Sequence, residues 1–357
     1  MRSKRLLGNG SLRIRTGPLL VPLLWVITLA VVFAAHPRCA RAQEPGGTLI
    51  YGEYGAPIRL VPILANDSIS IRLLEFIYGS LLYYDSNGEI KGDLAETWEM
   101  SKDLRSVTFS LRKDVLWHPL PGEEKGREFT ADDVIKTFDV MMNPKTVTSL
   151  QSRYSFIDSA QKVDDHTVVF KMTKPLLNVF GRFTFKIMPS FMLEDVSALR
   201  GDEDLIIYKN PIGTGPYIFQ SQHGTSAEVV LKANSRYHLG APNIGKIVMR
   251  PFADQNIITQ TLLFGGIDME VRVPSRDIAE IQGDARFELA PYSTLSYSFF
   301  GYNLRNPILA IKEVRKAISY TINRQEMLNS FFEGRGQLIS GPFARERPLH
   351  RVTLRRP

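Results

Sequence analysis

The chain has 357 residues, of which 44% are hydrophobic and 10% aromatic, and this is the composition of a globular protein with room for two or more domains. Its formal net charge is +7, but residues 1–42 hold seven basic residues and no acidic residue, so the rest of the chain sums to zero. The excess of positive charge therefore belongs to the leader and gives no argument for binding nucleic acid.

The leader has the layout of a secretory signal. A basic start precedes an apolar stretch at 18–35, and Ala40-Arg41-Ala42 fits the small-x-small pattern of a cleavage site. We therefore predict a signal peptide over residues 1–42, cleaved after Ala42; the alternative is a retained membrane anchor. The single cysteine, Cys39, lies in the leader, so the mature chain needs no disulfide.

The elements of the first half follow from hydrophobic periodicity and helix caps. Thr48–Tyr54 predicts a strand, and a helix capped by Ser68 is expected to run to about Leu82. The next elements predicted are a strand at 107–112, a helix opened by a capping box at 130–133, and a strand at 167–172.

The second half mixes strands and helices without strict alternation. Its predicted elements are strands near 228–231 and 246–250, a helix from Asp254 to 265–266, strands near 287–289 and 295–303, and helices at 312–320 and 324–332. The whole pattern predicts an α/β protein with mixed sheets.

The mature sequence contains no recognisable catalytic constellation. It has no nucleophile elbow, no phosphate-binding loop and no zinc-protease motif, and its five histidines lie far apart along the chain. Asp132-Asp133 and Asp164-Asp165 fit a first helical turn and a loop better than a catalytic pair. We therefore expect a binding protein without cofactor or catalytic residues, with a secreted enzyme as the remote alternative.

Several motifs, in order, carry a resemblance to a known family. Leu94–Arg112 (LAETWEMSKDLRSVTFSLR) resembles the signature of family 5 extracytoplasmic solute-binding proteins, the oligopeptide- and dipeptide-binding receptors of ABC importers. Further segments agree in the same order: Phe129–Val134, Asp164–Val168, Asn210–Tyr217, Gly266–Met269 and Val314–Ile318.

The resemblance implies a two-lobed periplasmic binding protein of the type II-like class, with an extra subdomain on lobe I. On that pattern residues 43–70 begin lobe I, 71–205 form the extra subdomain, 206–285 return to lobe I, and 286–343 start an incomplete lobe II. NPIGTGPY, at 210–217, would be the turn-rich re-entry into lobe I. The alternative for this segment is an ordinary surface loop.

The family's function implies a mechanism and partners. Two lobes would close around a peptide or similar small solute and present it to an ABC permease in the inner membrane, with a monomer as the working unit and no role for nucleic acid. By their places in the motifs, six residues are expected to contact the ligand: Asn66, Asp67, Ser68, Tyr154, Gln260 and Tyr297. The alternatives are helix capping for Ser68, core packing for both tyrosines and a solvated helix position for Gln260.

The resemblance fades after Ser340–Phe343, where family members continue. Residues 344–357 form an arginine-rich tail of charge +4, which we predict to be disordered. Two explanations stay open: a frameshifted or broken gene, which would leave a non-binding fragment of such a receptor, and a genuine but atypical tail.

Overall fold

The computed structural model describes residues 46–193, Leu199, 206–223, 227–291 and 297–341. The predicted signal peptide and the basic tail at 344–357 lie outside the described residues. The strands are β1 (Gly46–Tyr54), β2 (Leu82–Tyr84), β3 (Ile90–Gly92), β4 (Ala95–Met100), β5 (Ser106–Leu111), β6 (Ile157–Asp164), β7 (Thr167–Met172), β8 (Tyr217–His223), β9 (Glu228–Ala233), β10 (Ile244–Phe252) and β11 (Met269–Glu270). The α-helices are α1 (Ser68–Ile77), α2 (Ala131–Met142), α3 (Leu150–Tyr154), α4 (Ile206–Lys209), α5 (Gln255–Leu263), α6 (Ile278–Gly283), α7 (Pro307–Ala310), α8 (Lys312–Thr321) and α9 (Arg324–Phe332).

A mixed five-stranded sheet joins the start of the described chain to residues 217–270. Its strand order is β11-β1-β10-β9-β8, with β1 parallel to both β10 and β11 and β9 antiparallel to both of its neighbours. The parallel pairs unite strands about 200 residues apart in sequence, and these long-range pairs confirm the predicted mixed α/β class.

A second, antiparallel sheet of four strands is formed entirely by residues 95–172, in the order β4-β5-β7-β6. Val107, Phe109 and Leu111 are buried, as their alternation predicts. Phe109 packs edge-on against Phe183, with ring centroids 4.9 Å apart. The short hairpin of β2 and β3 is a separate ladder.

Two predicted helix caps are confirmed. The Asp133 carboxylate accepts the backbone N–H of Thr130 at 2.9 Å and completes the capping box of α2. Asp254 accepts the backbone N–H of Asn256 at 2.7 Å and begins α5.

Helix α1 differs from its prediction at both ends. Its N-cap is Asp67, whose carboxylate accepts the Ser70 N–H at 2.8 Å, so the capping role considered for Ser68 belongs to its neighbour. The helix ends at Ile77 instead of near Leu82. The chain leaves the helix because the next backbone donors find other partners: the Ser80 N–H binds the Asp93 carboxylate at 2.8 Å.

Two predicted strands are wrong over the residues that the structure describes. Residues 287–289 and 297–303 belong to no strand there. An alternating or apolar sequence forms a strand only where a neighbouring strand receives its hydrogen bonds, and no described strand lies beside either segment.

The NPIGTGPY segment is buried, and the surface-loop alternative is therefore wrong. Residues 211–215 are all buried, and the backbone N–H of Gly215 donates to the carbonyl of Ile77 at 2.9 Å. A Cβ on Gly213 would overlap that same carbonyl oxygen, so the close approach to the end of α1 requires glycine. The segment then leads directly into β8 of the five-stranded sheet.

Residues 297–341 are packed differently from the rest. They form α7, α8 and α9, with the two helices predicted at 312–320 and 324–332 confirmed, yet none of these residues is buried. Within the described ranges, no helix combines the length and the apolar character that crossing a membrane would require.

Candidate functional site

Three parallel strands end at one edge of the five-stranded sheet. β1 ends at Tyr54, β10 at Phe252 and β11 at Glu270, and the register pairs Tyr54 with Phe252 and Gly52 with Glu270. Open α/β sheets bind ligands beyond the carboxyl ends of their parallel strands. We call this margin, defined by Tyr54, Phe252 and Glu270, the carboxyl edge.

The first helix begins beside the carboxyl edge. The Ser70 hydroxyl accepts the backbone N–H groups of Ile58 and Arg59 at 3.0 and 3.2 Å, and so fastens the loop after β1 to the first turn of α1. The Nε of Arg72 donates to the Glu53 carboxylate at 2.6 Å. Because only 8% of the Glu53 side chain is exposed, this ion pair compensates a carboxylate that burial would otherwise penalise.

Helix α5 approaches the same edge from the other face of the sheet. A Cβ on Gly52 would lie 2.7 Å from a methyl carbon of Ile258, so the missing side chain lets α5 pack closely against β1. Ile258 and Ile267 belong to a small buried cluster beneath this helix. α5 begins at Gln255, three residues after β10 ends at Phe252.

Glu270 links β11 to α5. Its Oε1 accepts the amide of Gln255 at 2.6 Å and the hydroxyl of Thr259 at 3.1 Å. Its Oε2 is buried and has no hydrogen-bond partner among the described residues. Burial raises the pKa of the Glu270 carboxyl, and the negative charge of Asp277 raises it further by a smaller amount.

The carboxyl edge therefore offers groups suited to holding a polar solute. Tyr54 is 62% exposed, and the exposed Asn66, Ser68 and Asp254 surround the N-termini of the two helices. Polar side chains that can form hydrogen bonds, next to the ring of Tyr54, are the kind of groups that orient a ligand in a binding site. Among the described residues, no group of three or more His, Cys, Asp or Glu side chains could hold a metal ion.

The six predicted ligand contacts lie in different surroundings. Asn66, Asp67 and Ser68 lie together at the start of α1, beside the carboxyl edge, with Asp67 occupied as the cap. Gln260 is exposed on α5, five residues beyond the first residue of that helix. Tyr297 is 43% exposed, and its ring packs 5.8 Å from that of Phe299.

Tyr154 lies in the hydrophobic core. Its side chain is 2% exposed and packs edge-on against Phe185, with ring centroids 5.2 Å apart. Burial raises the pKa of its phenol. This placement matches core packing, the alternative to a ligand contact, because a ring covered on all sides presents nothing to a solute.

Sequence reasoning missed Tyr54, Glu53, Arg72 and Glu270. Glu53 and Arg72 are 19 residues apart, and Glu270 reaches the same edge only through the parallel pairing of β11 with β1. The strand prediction at 48–54 already contained Glu53 and Tyr54, and the rule that ligands lie at strand carboxyl ends was the signal that could have found them.

Two depressions lie elsewhere. One of about 450 Å³ is lined by Glu96, Lys113, Asp164 and His166 at the end of the four-stranded sheet, and one of about 100 Å³ lies between Tyr78, Tyr237 and their neighbours. Neither is lined by residues of the carboxyl edge, and we place the candidate site at that edge on the strength of topology and exposed polar groups.

Comparison with known proteins agrees with this architecture. The chain is 28% identical to the dipeptide-binding protein of Escherichia coli over 83% of its length and 58% of that protein. It is 26% identical to the oligopeptide-binding protein AppA of Bacillus subtilis over 87% of its length and 56% of that protein. The chain thus spans little more than half the length of these relatives.

Solved structures show the same fold. The periplasmic binding protein DppA of Helicobacter pylori, solved in complex with the peptide STSA, superposes with a TM-score of 0.75 at 22% identity, covering 85% of this chain and 61% of that one. At this identity the likeness establishes the fold, which is that of the two-lobed periplasmic binding proteins. The prediction of that fold class is confirmed.

The family assignment comes from the sequence itself. The family described as "Bacterial extracellular solute-binding proteins, family 5 Middle" matches residues 89–351, which is more than half of the chain. This family consists of binding proteins that act outside the cytoplasm. The chain belongs to family 5 of the bacterial extracellular solute-binding proteins.

Proposed function

We propose that the chain is the solute-binding component of an ABC importer, and that it captures a peptide or a similar small solute and delivers it to a membrane permease. The observation that carries the proposal is the polar, aromatic-flanked carboxyl edge in a chain that belongs to a solute-binding family. The relatives from Escherichia coli and Bacillus subtilis, named for dipeptides and oligopeptides, support a peptide as the first solute to test.

The proposed arrangement of lobes follows the sheets. Residues 43–70 and 206–285 would form lobe I, since β1 and β8–β11 share the five-stranded sheet. Residues 71–205 would form the extra subdomain around the four-stranded sheet, and 286–343 would begin lobe II. The leader at 1–42 would direct the protein to the periplasm, where it would act as a monomer.

The proposed mechanism is capture by closure of two lobes. A ligand shifts an open–closed equilibrium only by binding the closed state more tightly than the open one. Tyr54, Asn66, Ser68 and Gln260 would supply contacts from lobe I, and Tyr297 would supply one from the start of lobe II. No bond of the solute is broken. The residues act by donating and accepting hydrogen bonds and by packing against the solute.

Thermal unfolding with and without ligand tests this function. The chain is heated alone, with a pool of di- to pentapeptides, and with a matched pool of free amino acids. A peptide at 100 times its Kd stabilises the folded state by about 2.7 kcal/mol, and the melting temperature rises accordingly. Equal melting temperatures in all three samples would contradict the proposal and favour the non-binding alternative.

A further inference from the structure

A small polar cavity lies beside the end of helix α1, and none of its lining residues belongs to the carboxyl edge. Its volume is about 100 Å³, which is the space of roughly three water molecules. It is enclosed by the end of α1, the hairpin of β2 and β3, and the loop between β9 and β10. We call it the tyrosine cavity, and seven residues line it: Glu75, Tyr78, Tyr83, Asp93, Lys186, Pro216 and Tyr237.

The lining of the tyrosine cavity carries more negative than positive charge. Glu75 and Asp93 each contribute a carboxylate, and Lys186 contributes one ammonium, whose Nζ lies 2.6 Å from the Glu75 carboxylate. Arg112 lies outside the lining, where its Nε donates to the backbone carbonyl of Asp93 at 2.7 Å. The imidazole of His238 compensates the Asp93 charge only when it is protonated. With a neutral imidazole, the Asp93 carboxylate is the charge of the lining that has no counter-ion within it.

The Asp93 carboxylate is fixed in position and still has room for another donor. Asp93 is 5% exposed, its Oδ2 accepts the backbone N–H of Ser80 at 2.8 Å, and its Oδ1 lies 2.8 Å from the Nε2 of His238. Each carboxylate oxygen can accept two hydrogen bonds, so both oxygens keep an acceptor site. A donor in the cavity would therefore meet a preformed acceptor.

One hydroxyl beside the cavity lacks a partner. Tyr78 is 1% exposed, and its hydroxyl is buried without a hydrogen bond of good geometry to any described residue. Burial raises the pKa of this phenol, and the backbone of Ile212 lowers it by a smaller amount. A buried hydroxyl without a partner is unfavourable, and a polar molecule in the cavity can supply the partner.

The second phenol lies in a negative potential. Burial raises the pKa of Tyr237, and the negative charge of Asp93 raises it further, against a smaller opposing effect of Arg112. The phenol is therefore neutral at physiological pH, and its surroundings favour positive charge. The rings of Tyr83 and Tyr237, together with Pro216, also give the cavity an apolar wall.

These groups select the chemical class of an occupant. Aromatic rings and a carboxylate in a confined space are the groups that recognise alkylammonium ions. An anion would face two carboxylates, and a neutral molecule would leave the Asp93 charge without a counter-ion. The volume admits roughly four or five non-hydrogen atoms, which is the size of trimethylammonium or tetramethylammonium.

We propose that the tyrosine cavity binds a small alkylammonium ion, whose N–H donates to the Asp93 carboxylate and whose methyl groups pack against the rings of Tyr83 and Tyr237. Tyr83 belongs to the β2–β3 hairpin and Tyr237 to a loop of the five-stranded sheet, so the bound ion stabilises the junction between them. The site is separate from the carboxyl edge and does not depend on which solute the protein carries.

Titration of the full chain with trimethylammonium chloride tests the site. Isothermal titration calorimetry is expected to show saturable binding of one ion per chain. Sodium chloride at the same concentration controls for ionic strength, and tert-butanol is a neutral control of similar size, expected to bind at least tenfold more weakly. Absence of saturable binding of trimethylammonium would overturn the proposal, and so would equal binding of tert-butanol.

Matched variants locate the site. Tyr237→Leu removes a ring from the wall, and Asp93→Asn removes the charge while keeping the shape, so each is expected to weaken trimethylammonium binding roughly fivefold or more. Tyr84→Leu is the control, because its ring is 54% exposed on the same hairpin and does not line the cavity.

Asp93 also holds the backbone of Ser80, so circular dichroism and urea unfolding check that each variant folds. The Tyr237 variant decides the matter if Asp93→Asn does not fold. A folded Tyr237 variant that binds the ion as tightly as the Tyr84 control would contradict the assignment.

Discussion

The imidazole of His118 joins the two glycines of the NPIGTGPY segment. Its Nε2 lies 3.0 Å from the carbonyl oxygen of Gly215, and its Nδ1 lies 3.3 Å from the backbone nitrogen of Gly213. The neutral ring with a proton on Nε2 donates to the first and accepts from the second. This buried residue thus holds the segment that enters the five-stranded sheet.

The first prediction concerns pH. Burial lowers the pKa of His118 to about 4 in the folded protein, while an unfolded histidine titrates near its ordinary value of 6.5. Above about pH 6.5 the histidine is neutral in both states, and the free energy of unfolding is at its full value. As the pH falls from 6.5 towards 4, the unfolded state binds a proton that the folded state does not, so the free energy of unfolding decreases by about 3 kcal/mol. Urea unfolding of wild type and His118→Gln at several pH values measures it. Gln keeps a donor and an acceptor but does not titrate, so parallel pH profiles of the two proteins would contradict the prediction.

The second prediction concerns the close approach at Gly213. Gly213→Ala places a methyl group against the carbonyl of Ile77, where neither backbone can yield without displacing the end of α1. We expect a loss of about 3 kcal/mol or more in the free energy of unfolding. Gly283→Ala, where nothing lies within 4 Å of the added Cβ, is the control and should be nearly neutral. Equal stability of the two variants would refute the tight packing.

The third prediction concerns the buried contact between Asp93 and His238. The side chains are 8% and 1% exposed, and the His238 Nε2 lies 2.8 Å from the carboxylate. His238→Ala removes a partner from a buried carboxylate, so we expect a loss of about 1–3 kcal/mol, measured by urea unfolding. Lys91→Ala breaks the exposed pair with Glu89 and should leave stability unchanged. A His238 variant as stable as this control would show that the contact contributes nothing.

The fourth prediction concerns the carboxyl edge. Tyr54→Ala removes a ring that is 62% exposed where β1 ends, and we expect roughly tenfold weaker binding of a peptide that stabilises the wild type. Tyr84→Ala, at a ring 54% exposed on the separate β2–β3 hairpin, should bind as the wild type does. Isothermal titration calorimetry measures both affinities. A larger loss for the Tyr84 variant would move the site away from this edge.

The elements readable from the sequence were those with local signals. The alternation of Val107, Phe109 and Leu111 and the capping box at Thr130–Asp133 each fall within a few residues, and the structure confirms both. The end of α1 was misjudged because Ser80 bonds to Asp93, a partner that no local pattern reveals. The strand predicted at 295–303 is wrong over its described part, 297–303, for a related reason, since a strand depends on a neighbour as well as on its own residues.

The candidate site was readable in part. The resemblance predicts Asn66, Asp67 and Ser68 as ligand contacts, and the structure has them at the start of α1 beside the carboxyl edge. Tyr154 could not be distinguished from a core residue by sequence, because the aromatic ring suits both places. The position of Glu270 at this edge could not be predicted from the sequence, because it depends on the pairing of β11 with β1.

The central claim is that this protein holds a solute and leaves it chemically unchanged. The most direct measurement incubates the purified chain with a peptide that raises its melting temperature, isolates the complex, releases the ligand by denaturation and weighs it by mass spectrometry. Our account predicts a stoichiometric amount of peptide with its mass unaltered. A peptide recovered cleaved or modified, or no peptide retained above the level of the Tyr54→Ala variant, would contradict it.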